Sequence, residues 1–306
     1  MKPVTRLFLI GAPVLVAVSV FFGGDGDDSE VLADHPPERA ASAAPNPLAS
    51  ASDDEKAELE ARIGKMPPGL AEPGKKEIAS RIVASAEYST LDWRSQYDVI
   101  EDMDDGNGYT AGVIGFCSGT NDMLQLVEEY TKDHPGNPLE PYLPALREVD
   151  GTDSHEGLDP GFPEAWEKAA EEPAFREAQD RTRDRVYFDP AVRLAKMDGL
   201  GTLGQFIYYD AMLLHGPGLE AGGFYGIRHA AMKQAKTAAE GGSEKKYLNA
   251  FLDRSRAVIR TKVTETQRDT SRIDTAQRVF LKEGNLDLKL PLRWKVYGEP
   301  FRLPAS

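Results

Sequence analysis

The sequence predicts a mainly helical α+β fold, and two observations carry that expectation. Apolar residues recur at three- and four-residue steps through most segments between Gly74 and Leu281, the spacing of helices that bury one face. Extended patterning is confined to Tyr109–Phe116, which follows the reversal signal Asn107-Gly108, and to a closing segment with Trp294, Val296 and Tyr297 among polar residues.

In chain order, Gly74 to Ser89 places Ile78, Ala79, Ile82, Val83 and Ala86 on one helical arc. Asp92 to Met103 reads as a second helix, followed by the acidic turn Asp104-Asp-Gly-Asn-Gly108. Helix resumes over Asn121 to Tyr130, and a loop rich in Pro and Gly follows from His134 to Pro141. Pro163 to Arg183 is helical by pattern. Asp189-Pro190 reads as a cap and first helical position, opening one long helix that stops at Gly216-Pro-Gly218. Later helices are expected over Arg228 to Ala238, Glu244 to Ala257 and Asp269 to Leu281.

The first 70 residues do not read as core. Lys2 and Arg6 precede an uncharged apolar run from Leu7 to Phe22, the layout of a secretory leader. Its cleavage site is not evident, and the run falls short of the ~20 residues of a spanning helix, so an uncleaved membrane anchor stays open as the alternative. No cysteine lies just after the run, which excludes lipoprotein processing. Residues 24–70 are rich in Ala, Pro, Ser and acidic side chains, as in Ala40-Ala-Ser-Ala-Ala-Pro-Asn-Pro-Leu-Ala49, and are expected to form a disordered tether. Within it, Asp53 to Ile63 could form a short helix that little would hold in place. The organisation expected is a leader or anchor over 1–23, a tether over 24–70 and a catalytic domain over 71–306, exported or held at the cell surface, and monomeric.

Net charge is −14 over 306 residues. The first 70 hold 6 basic and 11 acidic side chains, leaving 30 basic against 39 acidic, net −9, for the rest. That balance argues against nucleic acid, which requires a basic face. It suits a cationic ligand, although acidic surfaces also serve solubility alone. The single cysteine, Cys117, can form no intramolecular disulfide and sits in an apolar run, as a buried thiol would. His35, His134, His155, His215 and His229 show no metal-ligand spacing. Nor does the acidic turn match a calcium loop: with Gly106 sixth, Met103 and Gly112 occupy ligand positions. Gly199-Leu-Gly-Thr-Leu-Gly204 spells a dinucleotide motif but follows no strand. No metal or cofactor is expected.

Two carboxylates stand out. Glu87 lies roughly 40° beyond Val83 at the rim of the apolar arc, in the last turn of its helix. Partial desolvation and the negative helix end both raise the pKa of such a group. Asp105 lies in a wet, polar, glycine-rich turn. One carboxyl half dry and another solvated is a way to separate a general acid from a general base.

The strings Ser85-Ala-Glu87, Leu91-Asp-Trp93, Gly108-Tyr-Thr110, Gly115-Phe-Cys-Ser-Gly-Thr120, Asp184-Arg-Val-Tyr-Phe-Asp-Pro190, Tyr208-Tyr-Asp-Ala211, His215-Gly-Pro-Gly218 and Asp269-Thr-Ser-Arg-Ile-Asp-Thr275 resemble, in order, the family 46 glycoside hydrolases, the bacterial chitosanases. The resemblance runs from about Gly74 to Leu303. It implies a lysozyme-like, two-lobed domain with a substrate cleft, and inverting endo-hydrolysis of β-1,4-linked glucosamine chains (chitosan and its oligosaccharides). It also implies Glu87 as general acid, Asp105 as general base and Thr110 as a holder of the attacking water. Asp122 would bind a glucosamine amine, and Asp210 and Arg272 would support the acid. A further supporting arginine is assigned to Arg256, with Arg254 the alternative. Asn107 departs from the family, which often carries arginine in this turn. Two other functions compete: a lysozyme- or chitinase-like hydrolase of acetylated glycans, and a non-catalytic glucosamine-polymer-binding wall module.

Overall fold

A computed structural model describes residues 53–262 and 268–305; the leader and the first part of the tether lie outside the described residues. Helix α1 (Asp53–Gly64) falls inside the stretch assigned to the tether and rests against the helix at 189–197, where Glu60 pairs with Arg193. Leu70 is fully buried, and its backbone N–H donates to Gln205 Oε1 at 2.8 Å. Gly69, at φ 62°, lies so close to Gln205 that a Cβ would come within 2.3 Å of its amide oxygen. The folded unit therefore begins before residue 71. A single buried leucine with a satisfied backbone anchors a stretch whose composition gives no sign of packing.

Helix α2 (Pro73–Glu87) opens on a proline that needs no donor there and buries Ile78, Ala79, Ile82, Val83 and Ala86, as the arc predicts. Asp92 to Met103 is not a helix. It forms one 3-10 turn (Trp93–Gln96) and then strand β1 (Ile100–Asp102). Trp93 and Tyr97 are buried four residues apart, which one turn achieves, and the rest of the segment is claimed by pairing with a distant strand. The β-like run after Asn107-Gly108 is divided: β2 (Tyr109–Ala111) and β3 (Phe116–Cys117) flank a turn in which Gly112 and Gly115 hold φ of 72° and 73°. The three strands form an antiparallel sheet in the order β1-β2-β3, with Asp102 opposite Tyr109 and Thr110 opposite Cys117.

Helices α3 (Asp122–Asp133), α4 (Leu143–Val149), α5 (Phe162–Ala170) and α6 (Pro173–Arg183) complete the lobe that carries this sheet. Asp189-Pro190 opens a helix but not from a free end, because the chain is already helical before it. Residues 184–188 form a π turn joining α6 to α7 (Asp189–Met197), with the Asp189 N–H donating five residues back to Asp184 O. Pro190 lacks a donor, and the widened turn is how the helix passes through it. The long helix expected up to Gly216 ends at Met197, and Gly199, at φ 73°, separates it from α8 (Thr202–His215). The Gly199–Gly204 string thus spans a helix break and still follows no strand.

Helices α9 (Phe224–Met232), α10 (Glu244–Ile259) and α11 (Arg278–Lys282) pack with α7 and α8 as the second lobe. A second π turn, Arg272–Gln277, leads into α11. The chain closes in an antiparallel hairpin of β4 (Leu292–Val296) and β5 (Glu299–Leu303). Trp294 Nε1 donates to Ser85 Oγ at 2.9 Å, which fastens this hairpin to the end of α2. The result is a mainly helical, lysozyme-like α+β fold of two lobes. The α6–α7 helix bridges them, and α2 runs alongside α8.

Candidate active site

Glu87 ends α2 and is 2 % exposed. Arg272 Nη1 donates to its Oε1, while Oε2 is buried and has no hydrogen-bond partner. The same guanidinium makes a bidentate pair with Asp210 of α8, Nε and Nη2 each 2.8 Å from a carboxylate oxygen. Gln277, on the π turn that carries Arg272, donates to Asp210 as well. One arginine thus faces two buried carboxylates. Burial pushes the Glu87 carboxyl up to about 7, Arg272 opposes this, and Asp210 adds to it. The half-dry setting read from the helical arc is in fact a fully dry one.

Arg256 does not join this network. It binds Asp274 at 2.7 Å, and the Thr270 hydroxyl donates to the same carboxylate. Arg254 reaches toward the Gln234 amide instead. The additional support for Asp210 comes from Gln277, which no sequence signal singled out. It lies five residues after Arg272, a spacing that points the same way only in a π turn.

Asp105 occupies the turn between β1 and β2 and is half-buried. Its Oδ1 accepts from Asn107 Nδ2 at 2.7 Å and from the Asn107 N–H at 3.2 Å, the self-contained turn that Asx residues form. Asn107 therefore orients Asp105 directly. Asp105 Oδ2 has no hydrogen-bond partner among the described residues. Burial raises its pKa, the two Asn107 bonds lower it, Asp102 raises it and Lys262 lowers it. The turn is drier than its composition suggests, so the contrast with Glu87 is one of degree.

The two carboxylates are linked through their neighbours. Tyr88, next to Glu87, donates to the Gly112 carbonyl in the β2–β3 turn at 2.5 Å. Thr110, on β2, is buried, with its hydroxyl 3.4 Å from Cys117 Sγ. The Cys117 thiol is held above its ordinary range by burial and by the charges of Asp122 and Asp105. Cys117 is buried and inert, as its apolar run implies.

Asp122 opens α3 and is 9 % exposed. Its Oδ1 accepts from Cys117 N–H at 3.0 Å, Thr120 hydroxyl at 2.8 Å and Met123 N–H at 2.9 Å. Oδ2 accepts from Tyr187 at 3.0 Å, a residue presented by the first π turn. Burial lifts its pKa to about 6 against these four bonds. Asp122 is thus braced by protein donors, with capacity remaining on Oδ2. Among the described residues no group of three or more His, Cys, Asp or Glu could hold a metal ion.

A buried carboxyl held by an arginine, and a second carboxylate on a glycine-rich turn, in a two-lobed, mainly helical frame, are the equipment of a glycoside hydrolase. The chain belongs to glycosyl hydrolase family 46, whose model matches residues 81–292. It is 58 % identical over 233 residues to the chitosanase of Streptomyces sp. (strain N174), an alignment covering 76 % of this chain and 83 % of that one. It is 35 % identical to the chitosanase of Bacillus subtilis (strain 168), covering 73 % and 83 %. Among solved structures, chitosanase OU01 with substrate superposes with a TM-score of 0.75 at 53 % identity, covering 76 % of this chain and 98 % of that one. The Gynuella sunshinyii family 46 chitosanase with chitotetraose superposes with a TM-score of 0.70 at 34 % identity, over 76 % and 98 %.

Proposed function

We propose that this chain is an endo-acting chitosanase that cleaves β-1,4-linked glucosamine polymers with inversion, using Glu87 as general acid and Asp105 as general base. The observation that carries this reading is the Glu87 carboxyl. It is buried, raised to about 7, bonded through one oxygen to Arg272 and without a partner on the other. A carboxyl near neutrality retains a proton to give to a leaving glycosidic oxygen, and Oε2 is the oxygen that would carry it. Asp105, held at Oδ1 by Asn107, keeps Oδ2 to take a proton from water, with the Thr110 hydroxyl as a second contact for that water. Asp210 and Gln277 fix Arg272, so that the guanidinium neither drifts nor delivers its full charge to Glu87 alone.

Substrate class rests on the chitosanases this chain resembles across most of its length, and on its negative charge, which favours an ammonium over an acetamide. The leader pattern supports export, with anchoring at the surface the alternative, and the enzyme acts as a monomer. Reducing-sugar release from chitosan, from fully acetylated chitin and from bacterial cell wall tests the substrate class. Chitosan is expected to be cut far faster; equal or greater release from chitin or wall makes the enzyme a chitinase or lysozyme. No release from any of the three leaves a binding module.

Asp122 would bind a glucosamine ammonium through Oδ2. Asp122→Asn is expected to weaken oligomer binding by about 1.5–3 kcal/mol, with a smaller effect on kcat. Because its carboxyl is raised to about 6, the contribution should grow as pH rises through that value. Steady-state kinetics on chitosan at graded concentration measure this, and an unchanged KM removes Asp122 from sugar binding.

A further inference from the structure

His155 lies outside the carboxylate pair yet is built into its support. Its ring stacks on Tyr109 with centroids 3.9 Å apart and planes 9° from parallel. Nε2 is 3.5 Å from Asp102 Oδ2, and Nδ1 is 3.8 Å from Asp159 Oδ2. The Tyr109 hydroxyl donates to the other oxygen of Asp159. Asp102 and Tyr109 face each other across the last register pair of β1 and β2, and the chain between them is the turn that bears Asp105. One imidazole therefore sits on the closing pair of that hairpin, and its side chain is four-fifths buried, at 19 % exposure.

The surroundings make this more than a chance contact. The loop carrying His155 lies against the turn: a Cβ on Gly108 would come within 3.6 Å of Asp153 O, and Gly119 joins the two, its N–H donating to Asn107 O at 2.9 Å and a Cβ on it coming within 2.1 Å of Thr152 O. The charged groups about the His155–Tyr109 stack are Asp102 from β1, Asp159 from its own loop and, through Tyr109, Glu164 from α5. Each ring nitrogen faces a carboxylate oxygen. The imidazole is flanked by the Asp102 and Asp159 carboxylates, and Asp102 also bears on Asp105.

We propose that His155 is a positioning residue for Asp105: held between Asp102 and Asp159 and stacked on Tyr109, it fixes the stem of the hairpin so that motion is confined to residues 103–108. This rests on the reading of Asp105 as the base. It follows that the stem should behave as part of the sheet lobe, while the turn alone adjusts to the sugar. A misplaced base costs rate without costing affinity, because the water it activates is not bound sugar.

The test compares His155→Phe, which keeps a ring against Tyr109 and removes both nitrogens, with His155→Gln, which keeps a donor. Kinetics on soluble chitosan, amide exchange of residues 100–111 and a double-mutant cycle with Asp102→Asn are the readouts. His155→Phe is expected to lower kcat by about tenfold or more with KM moved by less than about threefold. Exchange should quicken in 100–111 and not in α2 or α8, His155→Gln should recover part of the rate, and Asp102→Asn should add little to His155→Phe. Unchanged kcat in both variants, loss confined to KM, or fully additive effects of His155 and Asp102 overturn the proposal. Failure of the base reading is distinguishable: Asp105→Asn would then stay active while hairpin exchange still depended on His155.

Discussion

Glu87→Gln is expected to remove turnover while leaving the fold and sugar binding largely intact. An amide of the same shape can still accept from Arg272, but it cannot give a proton to the glycosidic oxygen. Loss of a general acid costs roughly 10²–10⁴-fold in rate. Two pH dependences follow from the same group. The acid works only while protonated, so wild-type rate should fall as pH rises past about 7, the value to which burial pushes Glu87. Its folded-state pKa is raised above the ordinary 4.5, so its favourable contribution to stability is fully present below that value. That contribution is lost as pH rises through about 7. A glutamine, which never ionises, escapes the loss, so Glu87→Gln should gain in melting temperature relative to wild type between those two pH values. Rate profiles and thermal melts across this range measure both. A variant keeping more than about a tenth of wild-type rate, far above the range for a lost acid, would reassign the acid.

The helices were legible where one face meets the core. The arc of α2, the steps of α3 and the helix expected over Glu244 to Ala257, which is α10, follow from spacing. What spacing could not reveal depends on partners far along the chain. Strand β1 exists because Ile100 and Asp102 find Ala111 and Tyr109, and isolated three-residue strands carry no period of their own. Helix α4 was absent from the reading because prolines dominate its approach. The two π turns are invisible to a 3.6-residue count, yet one delivers Tyr187 to Asp122 and the other delivers Arg272 and Gln277 to Asp210.

The site divides in the same way. Glu87 and Asp105 stood out locally, one by its place on a helical arc and the other by its turn. The Glu87–Arg272 pair spans 185 residues and Asp210–Arg272 spans 62, so they were reachable only through resemblance. That route also misled in one place. Arg256 carries the charge expected of a support but pairs with Asp274, and the further donor to Asp210 is the neutral Gln277.

Asp105→Asn is expected to be nearly inactive, and small anions such as azide are expected to restore part of its rate. In an inverting scheme Asp105 never bonds to the sugar. It takes a proton from a water that attacks the anomeric carbon from the face opposite the leaving group, and the two carboxyls stand roughly 6.5–9.5 Å apart to admit that water. The structure suits that division of labour. Glu87 is fixed at the end of a helix by a buried arginine, whereas Asp105 sits on a turn whose glycines, Gly106 and Gly108, hold φ of 88° and 67°. An asparagine can accept the Asn107 bonds but cannot take the proton, so the water stays a poor nucleophile. Azide needs no base, reaches the same face and should yield the α-glycosyl azide. Proton NMR of fresh wild-type products should show the α-anomer first from the β-linked chain. The β-anomer appearing first, or a glycosyl adduct trapped on Asp105, would make the enzyme retaining and Asp105 its nucleophile.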